Sequence, residues 1–207
     1  MAQLDPHMIT QIIVAVGTLG VCILAIWGDW IRSHITGPKL ELELHDPSGD
    51  LTTRQDRRRT LYYHVKIVNK RQWAPARRVR ILCDWISKRV SDGSFVRQPL
   101  IIPVQLTWAF PTFHELLPTI SKDDICDLGY LDETGNQFRL SLYIYPNNFQ
   151  GFVNANEAMQ VGLVVRADNF TSRSPFVLEI SWDGEWCADP DEMRNHLIIR
   201  EVQEYAG

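Results

Sequence analysis

Leu61-Tyr62-Tyr63-His64-Val65-Lys66-Ile67-Val68-Asn69 puts Leu61, Tyr63, Val65 and Ile67 on one side of an extended chain. Successive side chains of a strand point to opposite faces, so this period of two marks a half-buried β-strand. The same rhythm lies upstream in Lys39-Leu40-Glu41-Leu42-Glu43-Leu44-His45. Downstream, Val79, Ile81, Cys83 and Trp85 alternate with Arg78, Arg80 and Asp84. Further apolar runs, rich in β-branched and aromatic residues, cover 100–108, 138–145, 159–167, 176–182 and 197–202. Between the runs lie turn-forming clusters: Asp46–Asp50, Ser91–Ser94, Glu133–Asn136, Pro146–Asn148 and Asp183-Gly184. One short helix is expected over Asp189–Asn195, where Pro190 suits a first turn. Many short strands without a long amphipathic helix predict an all-β domain over 39–207, an Ig-like antiparallel sandwich of about seven to nine strands.

The chain ahead of this domain is of another kind. Ile9 to Gly28 is twenty residues without a charge, about 30 Å as a helix, the thickness of a bilayer's hydrocarbon core. A cleaved signal peptide calls for a basic leader and small residues at its cleavage site. Here Asp5 is the only formal charge ahead of the run, and Ala25-Ile26-Trp27-Gly28-Asp29 is bulky. Leu19-Gly20-Val21-Cys22 approaches a lipoprotein box but has Val21 where a small residue belongs. Twenty residues with no charge on any face are too long and too uniform for a buried core helix. The expectation is a retained transmembrane helix over 9–31, between a short tail (1–8) and a linker (32–38). Trp27, Trp30 and Arg32 would sit at the membrane interface. Basic residues follow the helix and none precedes it, which puts the domain on the cytoplasmic side.

About 170 residues beyond the helix suffice for one domain with a proper core. Their charge is uneven: residues 32–98 hold 15 Lys/Arg against 7 Asp/Glu, residues 99–207 hold 6 against 16. Either opposite faces carry opposite charge, or strands from the two halves interleave and mix it. Cys83, Cys126 and Cys187 are an odd number with no paired spacing, in keeping with free thiols in a reducing compartment. The sequon Asn169-Phe170-Thr171 would matter only in a secretory lumen.

The segment 63–81, YHVKIVNKRQWAPARRVRI, resembles the B-to-C region of Ig-like adhesion modules of the CARDB type, with Asn69 ending a strand and Ala76 and Val79 leading into the next. The strand Met159–Asn169 followed by Phe176–Trp182 resembles the closing hairpin of that fold. Lys70-Arg71 replaces a small polar turn, and an extra segment follows Trp186. The resemblance covers about half the domain and implies a sandwich that binds or positions something, without catalytic residues. The layout also resembles single-pass bacterial membrane proteins, which implies an inner-membrane location.

Chemistry is sparse. The acid clusters Asp123, Asp124, Asp127, Asp132, Glu133 and Asp183, Glu185, Asp189, Asp191, Glu192 match no calcium loop. Asp123 and Asp124 are the weak metal candidates. A metal-dependent hydrolase would need both clusters in one concave pocket, and scattered placement would remove that reading. The histidines show no zinc spacing, although His45 and His64 could be cross-strand neighbours. No nucleophile motif, phosphate loop or cofactor signature is legible. Cys83 is expected in the core. Trp73, Trp182 and Trp186 lie in or beside turns and are candidate partner-binding anchors, or in the case of the Trp182/Trp186 pair a cap on the core. Arg54, Arg57, Arg58 and Arg59 are the candidate anionic-lipid site. Without interleaved aromatics they suit nucleic acid poorly. The expectation is a non-enzymatic, membrane-anchored interaction or accessory module whose partners are the bilayer, anionic headgroups and an unidentified protein. The alternatives are the hydrolase and an extracytoplasmic binding module.

Overall fold

Two compact units form, one up to Gly37 and one from Pro38 onward. The computed structural model describes residues 6–99, 102–109 and 117–202. The first unit is helix α1, Pro6–Thr36. Its stretch His7–Gly28 is long and apolar enough to cross a bilayer, and none of it is buried. Thr18 donates its hydroxyl to the Val14 carbonyl at 2.8 Å, so this polar group is satisfied within the helix. Trp27 is 57% exposed; the side chains of Trp30 and Arg32 lie outside the described residues. The helix runs through most of the expected linker and ends at Gly37-Pro38, since neither residue suits continuation. Only Gly37, Pro38 and Lys39 separate it from the first strand.

The second unit is a sandwich of two antiparallel sheets. Sheet one has the order β1 (Leu40–Thr53), β2 (Arg59–Asn69), β6 (Asp123–Asp132), β7 (Gln137–Leu140), β8 (Phe152–Asn154). Sheet two has the order β12 (Leu197–Glu201), β11 (Phe176–Trp182), β9 (Glu157–Ala167), β3 (Arg80–Arg89), β4 (Phe95–Gln98). Two-residue strands β5 (Val104–Gln105) and β10 (Phe170–Thr171) pair with β3 and β9. The one-turn helix α2 (Pro190–Met193) precedes β12. The trio β1–β2–β6 facing β3–β9–β11 has the pairing of the A-B-E and C-F-G strands of Ig-like sandwiches. The hairpin β7–β8 extends the first sheet. Seven strands have five residues or more; five pieces of two to four residues raise the described total above the expected seven to nine.

The core lies between the sheets. Leu61, Tyr63, Val65 and Ile67 of β2 point into it, as their spacing requires, and meet Ile81, Cys83, Val161, Leu163, Leu178 and Ile180 of sheet two. Trp108 is fully buried. Its segment hydrogen-bonds to both sheets, pairing Leu82 and Cys83 through β5 and bridging Cys126 through Trp108 itself. That closes one side of the sandwich.

Two irregularities depart from the sequence pattern. Asp46–Gly49, expected as a turn, is a bulge within β1: pairing passes from His45↔His64 to Asp50↔Tyr62 and then continues to Thr53↔Arg59. Asp46 and Gly49 take left-handed φ of 32° and 76°, and the Asp46 carboxylate accepts from the Ser48 N–H at 2.9 Å. A second bulge leaves Asp84 without a partner between Cys83↔Leu163 and Trp85↔Gly162. The inserted residue reverses the alternation, so Ile86 enters the core and Trp85 turns to the outer face of sheet two. There Trp85 lies over Gly162, whose missing side chain makes the room: a Cβ would fall 2.2 Å from Trp85 Nε1. The Arg97 guanidinium covers the indole at 4.6 Å from its centroid.

The expected interleaving of the two halves is not found: in each sheet the basic-half and acidic-half strands form separate blocks that meet at one seam, β2–β6 and β3–β9, where Lys66–Asp123 (3.0 Å) and Lys88–Glu157 (2.7 Å) pair.

Candidate functional site

Register gives the sandwich two ends. At the entry end the chain arrives at Leu40, which pairs with Asn69, and β6 starts at Asp123 opposite Val68. The segment 70–79 crosses there to sheet two, where Arg80 pairs with Arg166. The far end holds the hairpin 54–58, the close of β6 at Asp132, and the turn after Trp182. Eleven residues of β2 separate the ends, about 35 Å at the usual rise per residue.

Asn69 organises the entry end. Its side chain is fully buried yet satisfied by four backbone groups. Oδ1 accepts from the N–H of Arg71 (3.0 Å) and Lys39 (3.3 Å), and Nδ2 donates to the carbonyls of Ala74 (2.8 Å) and Ile120 (3.4 Å). One amide thus ties the arriving chain, the 70–79 loop and the approach to β6. Ala76 bridges Ile120 in both directions, at 2.9 and 2.8 Å. Asn169 holds the rest of the loop, accepting from the Arg77 N–H and donating to the Pro75 carbonyl, each at 3.1 Å. The loop so fixed presents Trp73, 66% exposed. Residues 70–80, KRQWAPARRVR, hold five cations and no acid. Lys70 pairs with Glu43 at 2.6 Å, and Lys39 with Glu41 at 2.8 Å. Arg77 and Arg78 are exposed and make no ion pair with another described residue.

The four arginines of the expected lipid site are at the far end. Arg58 pairs with Asp56 inside the hairpin. Arg59 pairs with Glu133 at 2.8 Å, and its guanidinium lies 5.0 Å from the Trp186 ring centroid. Arg54 reaches Asp132 at 3.7 Å and the Tyr130 ring at 5.9 Å. Arg57 is exposed at the tip with φ 67°.

Trp182, expected either as a recognition anchor or, with Trp186, as a cap on the core, is 4% exposed and donates to the Glu185 carbonyl at 2.7 Å. Its place in phase with Ile180 and Leu178 puts the ring in the core, out of a partner's reach. Trp186 packs against the core edge under Arg59. Trp73 alone of the three candidates stands open.

The acid clusters are divided between the ends. Asp123, at the entry end, pairs with Lys66, which holds its carboxyl below the ordinary value. Asp124 accepts from the Ile125 N–H at 2.9 Å. At the far end Asp189 caps α2, accepting from the N–H groups of Asp191 (2.9 Å) and Glu192 (3.2 Å). Glu192 accepts from Cys187 at 3.0 Å, and that contact raises the thiol's pKa. Asp183 faces His196 Nδ1 at 2.8 Å. This contact raises the imidazole's pKa. Burial pulls the Asp183 carboxyl up, but the Glu185 N–H and His196 outweigh it and the net shift is downward. Among the described residues no group of three or more His, Cys, Asp and Glu is placed to hold a metal ion. Asp132 and Glu133 of the first cluster stand at the far end with the second cluster, paired with Arg54 and Arg59.

His45 and His64 are direct cross-strand partners. The β1 bulge brings Asp50 to 3.1 Å from His64 Nε2, while Asp127 Oδ1 lies 2.9 Å from Nδ1 but off the line of a hydrogen bond. The sequence suggested the histidine pair but not the two carboxylates, since Asp50 looked like part of a turn. Cys83 and Cys126 are buried free thiols; burial pushes Cys83 up to about 12 and Cys126 upward as well. Neither is a nucleophile.

No protein-family model, curated protein or solved structure matches the chain.

Proposed function

We propose that the chain is a single-pass membrane protein whose sandwich, a module of the CARDB type, works at the cytoplasmic surface of a bacterial inner membrane as an interaction or accessory domain. The observation that carries the reading is the unburied apolar surface of α1 over His7–Gly28, which is stable in lipid and not in water. The paired and divided acids favour binding over metal-assisted hydrolysis.

Membrane fractionation and reporters fused at Gly207 test this reading. The protein should stay in the pellet after alkaline carbonate extraction, and a cytoplasm-active reporter should work while a periplasm-active one stays silent. Activity of the periplasmic reporter alone would overturn the orientation, and release by carbonate would overturn the anchor.

A further inference from the structure

We propose that the entry end of the sandwich, through Trp73, Arg77 and Arg78, docks on anionic lipid headgroups, and that the Arg54–Arg59 hairpin does not. The proposal rests on α1 spanning the membrane and specifies which surface of the domain meets the bilayer. From Gly28, where the apolar stretch ends, α1 continues about 12 Å to Thr36, and four peptide steps add about 15 Å at most to Leu40. The loop 70–79 emerges beside Leu40, because Asn69 pairs with Leu40 and its side chain binds both Lys39 and Arg71. It therefore samples headgroups at high effective concentration, whereas the hairpin tip starts a whole strand length away.

Charge separates the segments further. Three of the four hairpin arginines already have carboxylates. At the entry end Glu41 and Glu43 are taken up by Lys39 and Lys70, and Asp123 by Lys66. One exposed acid stands beside the loop, Asp168, whose N–H donates to the Arg77 carbonyl at 2.9 Å; against it the loop sets both Arg77 and Arg78. Arg77 and Arg78 are left to meet phosphate, and an exposed indole between basic residues suits the boundary of headgroup and acyl chain. The side-chain clasps of Asn69 and Asn169 fix the loop beforehand, so little ordering opposes contact.

Hydrogen–deuterium exchange of the full-length protein tests this in nanodiscs of phosphatidylcholine alone and of phosphatidylcholine with 30% phosphatidylglycerol. Peptides covering 70–80 should exchange about tenfold more slowly in the anionic discs, with peptides covering 54–59 unchanged. The double variant Arg77→Glu, Arg78→Glu should abolish the difference while the β2 peptides keep wild-type protection. Equal exchange of 70–80 in the two lipids overturns the proposal, and so does protection of the hairpin to the same degree. Protection of 70–80 alike in both discs would point to a protein partner or to the loop itself and also overturns it. A chain that fails to co-elute with the discs defeats the membrane reading first, and this proposal with it.

Discussion

Two arginine-rich segments stand at opposite ends of one sandwich and are built on different principles. The hairpin 54–58 is held on the outside, by exposed ion pairs and by Arg59 lying on Trp186. The loop 70–79 is held from within, by one buried amide with four backbone partners. Density of arginine along the chain therefore says little about available positive charge. The hairpin looks the more basic in sequence, yet register delivers Asp132 and Glu133 beside it. Across from the loop β6 starts with Asp123, which Lys66 takes, and Arg77 and Arg78 stay open.

If the ends differ in this way, damage should be unequal. The largest effect is expected from Asn69→Ala, which strips the buried Ala74 carbonyl and the part-buried N–H groups of Lys39 and Arg71 of their side-chain partner and should cost on the order of 3 kcal/mol. Denaturant unfolding in mild detergent measures it, and a loss below about 1 kcal/mol would mean the amide is not what holds the entry end. Between the ends, Gly162→Ala drives a methyl into the Trp85 indole and should cost about 1–3 kcal/mol by overpacking, with a shift in Trp fluorescence. At the far end a double-mutant cycle on Arg59→Ala and Glu133→Ala should give a coupling of about 0.2–1 kcal/mol that shrinks as salt rises. A larger, salt-independent coupling would erase the contrast.

The smallest effect concerns pH. His196, raised by Asp183, contributes stability that is fully present below its ordinary value of 6.5 and is lost as pH rises through the higher folded value. Asp183, lowered on balance, contributes above its ordinary 3.8 and loses that contribution as pH falls through the lower folded value. The Tm difference between wild type and Asp183→Asn should therefore be greatest between those two ordinary values and narrow on either side. A flat difference across pH would show that the pair is not coupled to folding.

Periodicity revealed most of the sheet content: β2, β9, β11 and the first half of β1 lie where alternation puts them. The central strand β6, Asp123–Asp132, went unread because its carboxylates look like an acidic loop, and two further failures occurred at bulges. Asp46–Gly49 carries turn residues, and only pairing of Asp50–Thr53 with Arg59–Tyr62 tells a bulge from a strand end. Trp85 kept perfect phase with Cys83 in sequence, and nothing local announces that Asp84 is looped out against β9. Register across strands is decided by distant residues, and one sequence does not display it. The candidate site was legible as components only. Trp73 could be read as an anchor and Trp182 as a cap on the core, but not that a buried Asn69 presents Trp73 beside Arg77 and Arg78, or that the hairpin arginines are occupied elsewhere.

A pair of labels tests the proposed docking of the entry end on the bilayer most directly. Gln72 and Gln55 are exposed, neutral positions on the loop and the hairpin. Gln72→Cys and Gln55→Cys can each carry a fluorophore in a Cys22→Ser, Cys187→Ser background, since Cys83 and Cys126 are buried. In anionic proteoliposomes with brominated lipid, the label at 72 should be quenched and the label at 55 should not. Quenching of the label at 55 with none at 72 would contradict the account.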